Sequence, residues 1–153
     1  MIVHRILFCA LLLGSHTGYT QVVDWISFDS LQEKMRVQPR PVLIYIYTGW
    51  CKYCALQKER TFTAPAITDK IGRQFYAVSL DAESKAEIIF LNKHYGYKPS
   101  RGYHELAELL GKKNGTLSFP TTVVLSESLQ LLEHASGFLN EQDMSRMLDR
   151  CTP

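Results

Sequence analysis

The chain has 153 residues, 46% of them hydrophobic and 21% charged, which suits one domain with its own core. Seventeen Lys and Arg against fifteen Asp and Glu leave a net charge of +2. No basic run stands out, so nucleic acid is not an implied partner.

Residues 1–20 differ from the rest. "MIVHR" is short and basic, "ILFCALLLG" is an apolar run of nine residues, and "SHTGYT" is small and polar. This order reads as a secretory signal peptide, with Gly18 and Thr20 offering small residues for cleavage. The run is too short to span a bilayer, which takes roughly 20 apolar residues. An uncleaved N-terminal anchor is the alternative. Cys9 is expected to leave with the signal peptide, and the loss of Arg5 brings the charge to about +1. The mature chain, 21–153, then holds Cys51, Cys54 and Cys151. An odd count argues against a plain disulfide framework.

"SFDSLQEKMRVQ" reads as a helix, with Ser30 and Glu33 as a capping box. Trp25 before it is expected to pack at the start of the fold. Pro39 and Pro41 stop the helix. Val42 to Tyr47 is apolar throughout and rich in β-branched and aromatic residues, the pattern of a strand covered on both faces. "CALQKERTF" continues as a helix. Thr63 near an N-cap and Pro65 in a first turn begin another helical stretch, "AITDKIGRQF".

Phe75 to Leu80 forms the second strand, and "EIIFLNKHYGY" suggests a small hairpin around "LNK". "RGYHELAELLGKKNG" holds a short helix with Leu106, Leu109 and Leu110 on one side, ended by Gly111. "NGT" at Asn114 to Thr116 is read as a turn. "TTVVLS" and "LQLLEHAS" are strands joined by the tight "SESL" turn. The final helix, "NEQDMSRMLDRC", is capped by Asn140 and presents Met144, Met147, Leu148 and Cys151 on one face. The order is helix, strand, helix, strand, insert, strand, strand, helix, which implies a mixed sheet with helices on both faces.

Between the first buried strand and its helix stands "TGWCKYCALQ". Cys51 falls at a helix N-terminus, where unpaired N–H groups and the dipole favour a thiolate. Cys54 lies one turn on, placed to resolve a mixed disulfide formed by Cys51. Lys52 can add positive charge. Two other readings stand beside redox exchange: a static pair of buried thiols, and half of a metal site. One C-x-x-C gives two ligands where structural zinc takes four, so copper(I) on soft ligands is the stronger metal option. His94, His104 and His134 show no ligand spacing and are expected at the surface.

"WCKYC" after a buried strand, and "SFPTTVVL" before another, resemble the thioredoxin superfamily. Pro120 follows Cys54 by 66 residues, and Gly137 precedes the last helix. The likeness covers most of Trp25 to Arg150 and is closest to exported thioredoxin-like proteins of Gram-negative bacteria with an insert before the proline strand.

The resemblance implies an α/β thioredoxin fold, a central mixed β-sheet flanked by helices on both faces, over residues 21–153. It implies that Cys51 attacks and Cys54 resolves. Pro120 is expected in the cis form, with Phe119, Pro120, Thr121 and Trp50 binding substrate and Lys52 and Tyr53 tuning the potential. A monomeric periplasmic thiol–disulfide oxidoreductase follows, with reduction as the expected direction. Its partners are protein thiols or disulfides and a membrane or periplasmic electron donor. The redox-active Cys51–Cys54 disulfide is the only cofactor expected, with no metal. The alternative is a non-catalytic binding module, or a copper-handling protein, on the same scaffold.

Three positions depart from thioredoxin. Tyr45 stands where it has a buried Asp, Glu59 where its active-site helix has a proline, and Ala77 where its strand has a lysine. Proton transfer in the resolving step is then expected either to use another group, water or Glu59, or to be slower. The insert, residues 85–115 with Tyr95, Tyr97 and Tyr103, is read either as a determinant of partner choice or as a cover for the sheet edge.

Overall fold

The computed structural model describes residues 22–152. The expected signal peptide, Cys9 included, lies outside these residues. The elements run β1 (Trp25–Ile26), α1 (Phe28–Val37), β2 (Val42–Tyr47), α2 (Lys52–Arg60), α3 (Pro65–Gln74) and β3 (Tyr76–Asp81). The insert follows as β4 (Ile88–Phe90), β5 (Lys93–Tyr95), β6 (Tyr97–Lys98), β7 (Tyr103–His104), α4 (Glu105–Gly111), β8 (Lys112–Lys113) and β9 (Thr116–Leu117). The chain closes with β10 (Thr121–Leu125), β11 (Leu131–Ser136) and α5 (Glu141–Arg150).

A five-stranded sheet in the order β1-β3-β2-β10-β11 forms the centre. β1 and β2 pair parallel to β3, while β10 runs antiparallel to β2 and β11. β2 alternates between two cores. Leu43 and Tyr45 face one cluster with Ile67 and Ile71 of α3, Met144, Met147 and Leu148 of α5, and both cysteines of the pair. Val42, Ile44 and Ile46 face another with Phe28 and Leu31 of α1 and Leu106 and Ala107 of α4. Burial of both faces explains why the β2 sequence is apolar without alternation.

Several local expectations are corrected. The N-cap of α1 is Ser27, whose hydroxyl accepts from the Ser30 N–H at 3.1 Å. Glu33 pairs with Arg36 instead of closing a box with Ser30. The helix starts early because Phe28 packs edge-on against Phe90, with ring centroids 5.4 Å apart. Helix α3 is capped by Ala64, and the Thr63 hydroxyl instead donates to the Glu59 carbonyl at the end of α2. Trp25 and Ile26 add a two-residue edge strand, too short to show a period.

Leu109 points outward, while Leu106, Ala107 and Gly111 make the inner stripe of α4. Two histidines expected at the surface are not there. His104 is fully buried: its Nδ1 accepts from the Leu106 N–H at 3.2 Å, and its Nε2 faces the Ala86 carbonyl at 3.0 Å. That arrangement puts the proton on Nε2. His134 is half-buried, with Nε2 3.1 Å from the Gly111 carbonyl. His94 is exposed beside Glu87.

Gly111 ends α4 as expected, but by packing. A Cβ there would lie 2.7 Å from Leu117 Cδ1 and 3.1 Å from Ile46 Cδ1. Leu117 would have to move its side-chain end, while Ile46 is fully buried in the central strand with little room to give. Gly111→Val is therefore expected to destabilise the fold by about 1–3 kcal/mol through overpacking. Urea unfolding measures this, and an unchanged midpoint would contradict the close approach.

Candidate functional site

β2 delivers the chain to Thr48, and Gly49 and Trp50 turn it into α2. Cys51 is the N-cap of that helix, its sulfur accepting from the Cys54 N–H at 3.1 Å. The two cysteines are joined as a disulfide. The first turn of α2 carries no acidic residue, and Lys58 and Arg60 occupy its last turn. No side-chain carboxylate in that first turn competes for the positive end of the helix, which is available to a sulfur anion. Cys51 is 8% exposed and Cys54 2%, so Cys51 is the more exposed residue of the pair.

The pair has an aromatic rim. Trp50 and Tyr53 are 63% and 65% exposed. The Trp50 indole N–H donates to Glu83 Oε1 at 3.2 Å. Its ring meets Phe119 edge-on with centroids 6.0 Å apart. Phe119 packs against both cores, which places it at the end of the sheet beside the cysteines. The Phe119–Pro120 peptide bond is cis. Pro120 is buried, and the buried Thr121 donates from its hydroxyl to the Ser118 carbonyl at 2.7 Å. Lys52 is exposed on the first turn of α2. Trp50, which precedes Cys51, thus meets Phe119 of the cis-proline segment, while Lys52 and Tyr53 lie between the two cysteines in sequence and face solvent.

Beneath the helix, Tyr45 is fully buried and its hydroxyl donates to the Cys54 carbonyl at 2.8 Å. Burial, with Tyr47 adding, pushes the Tyr45 phenol well above its ordinary range. Tyr45 stacks on Tyr47, with centroids 5.6 Å apart. The Lys58 ammonium stands over the Tyr47 ring, 3.4 Å from its centroid. Burial lowers the Lys58 pKa, and Asp81 opposes that effect. Burial and then Asp81 raise the Tyr47 phenol. Glu59, the expected alternative proton carrier, is exposed.

Sequence reasoning missed Gln57. It is fully buried on α2, donating to Thr122 Oγ1 at 3.1 Å and accepting from the Leu139 N–H at 2.9 Å. Thr61 adds a bond to the Leu139 carbonyl at 2.6 Å. These contacts tie the cysteine helix to β10 and to the segment before α5. A lone glutamine in a polar helix sequence gives no local sign of such partners. Cys151 is buried and free, as its place on the apolar face of α5 suggests. Burial, with Glu133 adding and Arg150 opposing, pushes its thiol up to about 11. Among the described residues, no group of three or more His, Cys, Asp or Glu is placed to hold a metal ion. None of the described helices is long and apolar enough to cross a membrane.

A redox-type cysteine pair at the start of a helix on a five-stranded mixed sheet defines a thioredoxin-fold protein. The sequence pattern of the thioredoxin-like domain matches residues 28–152, and the chain belongs to that family. Among solved structures it is similar to a thioredoxin from Thermus thermophilus, at 14% identity and a TM-score of 0.60 over 85% of this chain and 86% of that one. It is similar to a DsbH oxidoreductase at 16% identity and a TM-score of 0.57, over 85% of each chain. The reduced C-terminal domain of DsbD from Neisseria meningitidis matches at 17% identity and a TM-score of 0.52, over 83% of this chain and 98% of that one. At these identities the likeness is one of fold. A comparison with curated protein sequences finds no significant match.

Removing Gln57 leaves the Leu139 N–H and the Thr122 hydroxyl without their buried partner. Each such loss costs about 1–3 kcal/mol. Gln57→Ala is expected to destabilise the protein by about 2–4 kcal/mol in urea unfolding, and a change within about 0.5 kcal/mol would contradict the tie.

Proposed function

We propose that the protein is a thiol–disulfide oxidoreductase acting on protein disulfides in the periplasm, in the reducing direction. The observation that carries this reading is the Cys51–Cys54 disulfide at the N-terminus of α2, with Cys51 toward solvent and an aromatic rim around it. In the reduced protein, the Cys51 thiolate attacks a substrate disulfide and expels one substrate thiolate. Cys54 then loses its proton and attacks Cys51 Sγ, which expels the second substrate thiolate and closes the Cys51–Cys54 disulfide. Two electrons pass to the substrate, and the two expelled thiolates take up protons.

Trp50, Phe119, Pro120 and Thr121 are assigned to hold the substrate chain, with the Phe119 backbone offering strand-like pairing. Lys52 and Tyr53 are assigned to set the potential. No cofactor enters beyond the disulfide itself. Tyr45 does not replace an acid: its raised pKa keeps the phenol protonated at neutral pH, and its hydrogen bond holds the helix at Cys54.

The reducing direction rests on likeness to the thioredoxin family, and the compartment on the apolar leader-like run in residues 1–20. A reductase in an oxidising periplasm needs a donor dithiol to reopen its disulfide, so a membrane or periplasmic electron donor is the second partner. The protein is assigned to act as a monomer.

Cys54→Ser, expressed with its own leader, is expected to accumulate mixed disulfides through Cys51 that a reductant releases. The Cys51→Ser, Cys54→Ser double variant should trap none. If Cys54→Ser traps nothing and the wild type purifies with copper bound, the metal-handling reading replaces this one.

A further inference from the structure

The aromatic rim does not stop at Phe119. The Tyr103 ring lies 5.4 Å from the Phe119 centroid at 57°, so Phe119 and Tyr103 continue a row that starts at Trp50, the neighbour of Cys51. Tyr103 belongs to β7, within the insert. The row is only half-buried at Phe119 and Tyr103 and is exposed at Trp50.

The insert is anchored at this point by backbone. The Ala82 N–H donates to the Tyr47 carbonyl at 2.8 Å, and the His104 N–H donates to the Ala82 carbonyl at 2.7 Å. A chain of two hydrogen bonds therefore links the end of β2, which leads into the cysteine loop, to the residue after Tyr103. The buried His104 imidazole adds its bonds to Ala86 and Leu106. Glu83, next to Ala82, holds the Trp50 indole. The same few residues thus fix both ends of the row.

We propose that Tyr103 is a specificity-determining residue: it extends the apolar surface beside Cys51, so that substrates with an aromatic or bulky aliphatic side chain next to the reacting cysteine are preferred. Aromatic rings supply large contact areas at little cost in lost rotamer freedom. A polypeptide held at the Phe119–Pro120 segment passes over this row, and the side chain flanking its cysteine meets Tyr103. The proposal rests on the oxidoreductase reading above.

The test compares kcat/KM for three substrates under one reductant: hydroxyethyl disulfide, a peptide disulfide with Phe beside the cysteine, and the same peptide with Ser there. The wild type is expected to turn over hydroxyethyl disulfide and to prefer the Phe peptide by about tenfold, the range one apolar contact gives. Tyr103→Ala and Tyr103→Gln should each cut that preference to about twofold while leaving hydroxyethyl disulfide turnover unchanged. Tyr103→Phe should keep it. A wild type without the preference, or variants that retain it, would overturn the proposal. So would an equal loss on all three substrates in both variants, which is the mark of a structural role. A wild type that turns over no disulfide would overturn the oxidoreductase reading itself.

Discussion

Strand β2 has almost no side chain open to water: Val42 to Ile46 are fully buried between helices on either face. That constraint sets everything built at its C-terminal end. A strand held in the middle of the sheet by β3 and β10 cannot shift its register without breaking both ladders and repacking both cores. Its end is therefore a fixed point, and the turn at Thr48–Trp50 delivers Cys51 to the N-terminus of α2. Gln57 and Thr61 hold the far side of the helix to β10 and to Leu139. The cysteine pair is placed by packing beneath and by hydrogen bonds behind.

The polar groups beneath the pair are phenols and amides of the protein's own core. Among the described residues the group that meets the Cys54 carbonyl from beneath is the Tyr45 hydroxyl, not a carboxylate. The charged groups sit to the side, with Lys58 over Tyr47 and Asp81 opposite Tyr47 in the paired strand. Burial and the Asp81 charge act on Lys58 in opposite senses.

What was legible in the sequence was local. The unbroken apolar run of β2, the cysteine spacing, the Asn140 cap and the i, i+3, i+4 face of α5 all carry their meaning within one element. The hairpin at "LNK" was also legible, and Leu91 and Asn92 form its two-residue turn with positive φ. The features missed depend on partners brought in by the fold. Gln57 bonds residues 65 and 82 positions away. His104 is buried because the insert folds back to offer it Ala86 and Leu106. Ser27 displaced the Ser30 cap because Phe28 had to reach Phe90. Tyr103 was visible only as one of several tyrosines in a long insert. Its place beside Phe119 follows from the backbone bond of His104 to Ala82.

The proposed function requires that Cys51 and Cys54 be an exchanging pair and not a static brace. A redox titration in thiol–disulfide buffers, read by mass after thiol trapping, tests it most directly. One reversible two-electron transition is expected, with a tenfold change per roughly 30 mV, at a potential above about −300 mV and with the fold retained. A pair that opens only below that potential, or only as the protein unfolds, would contradict it.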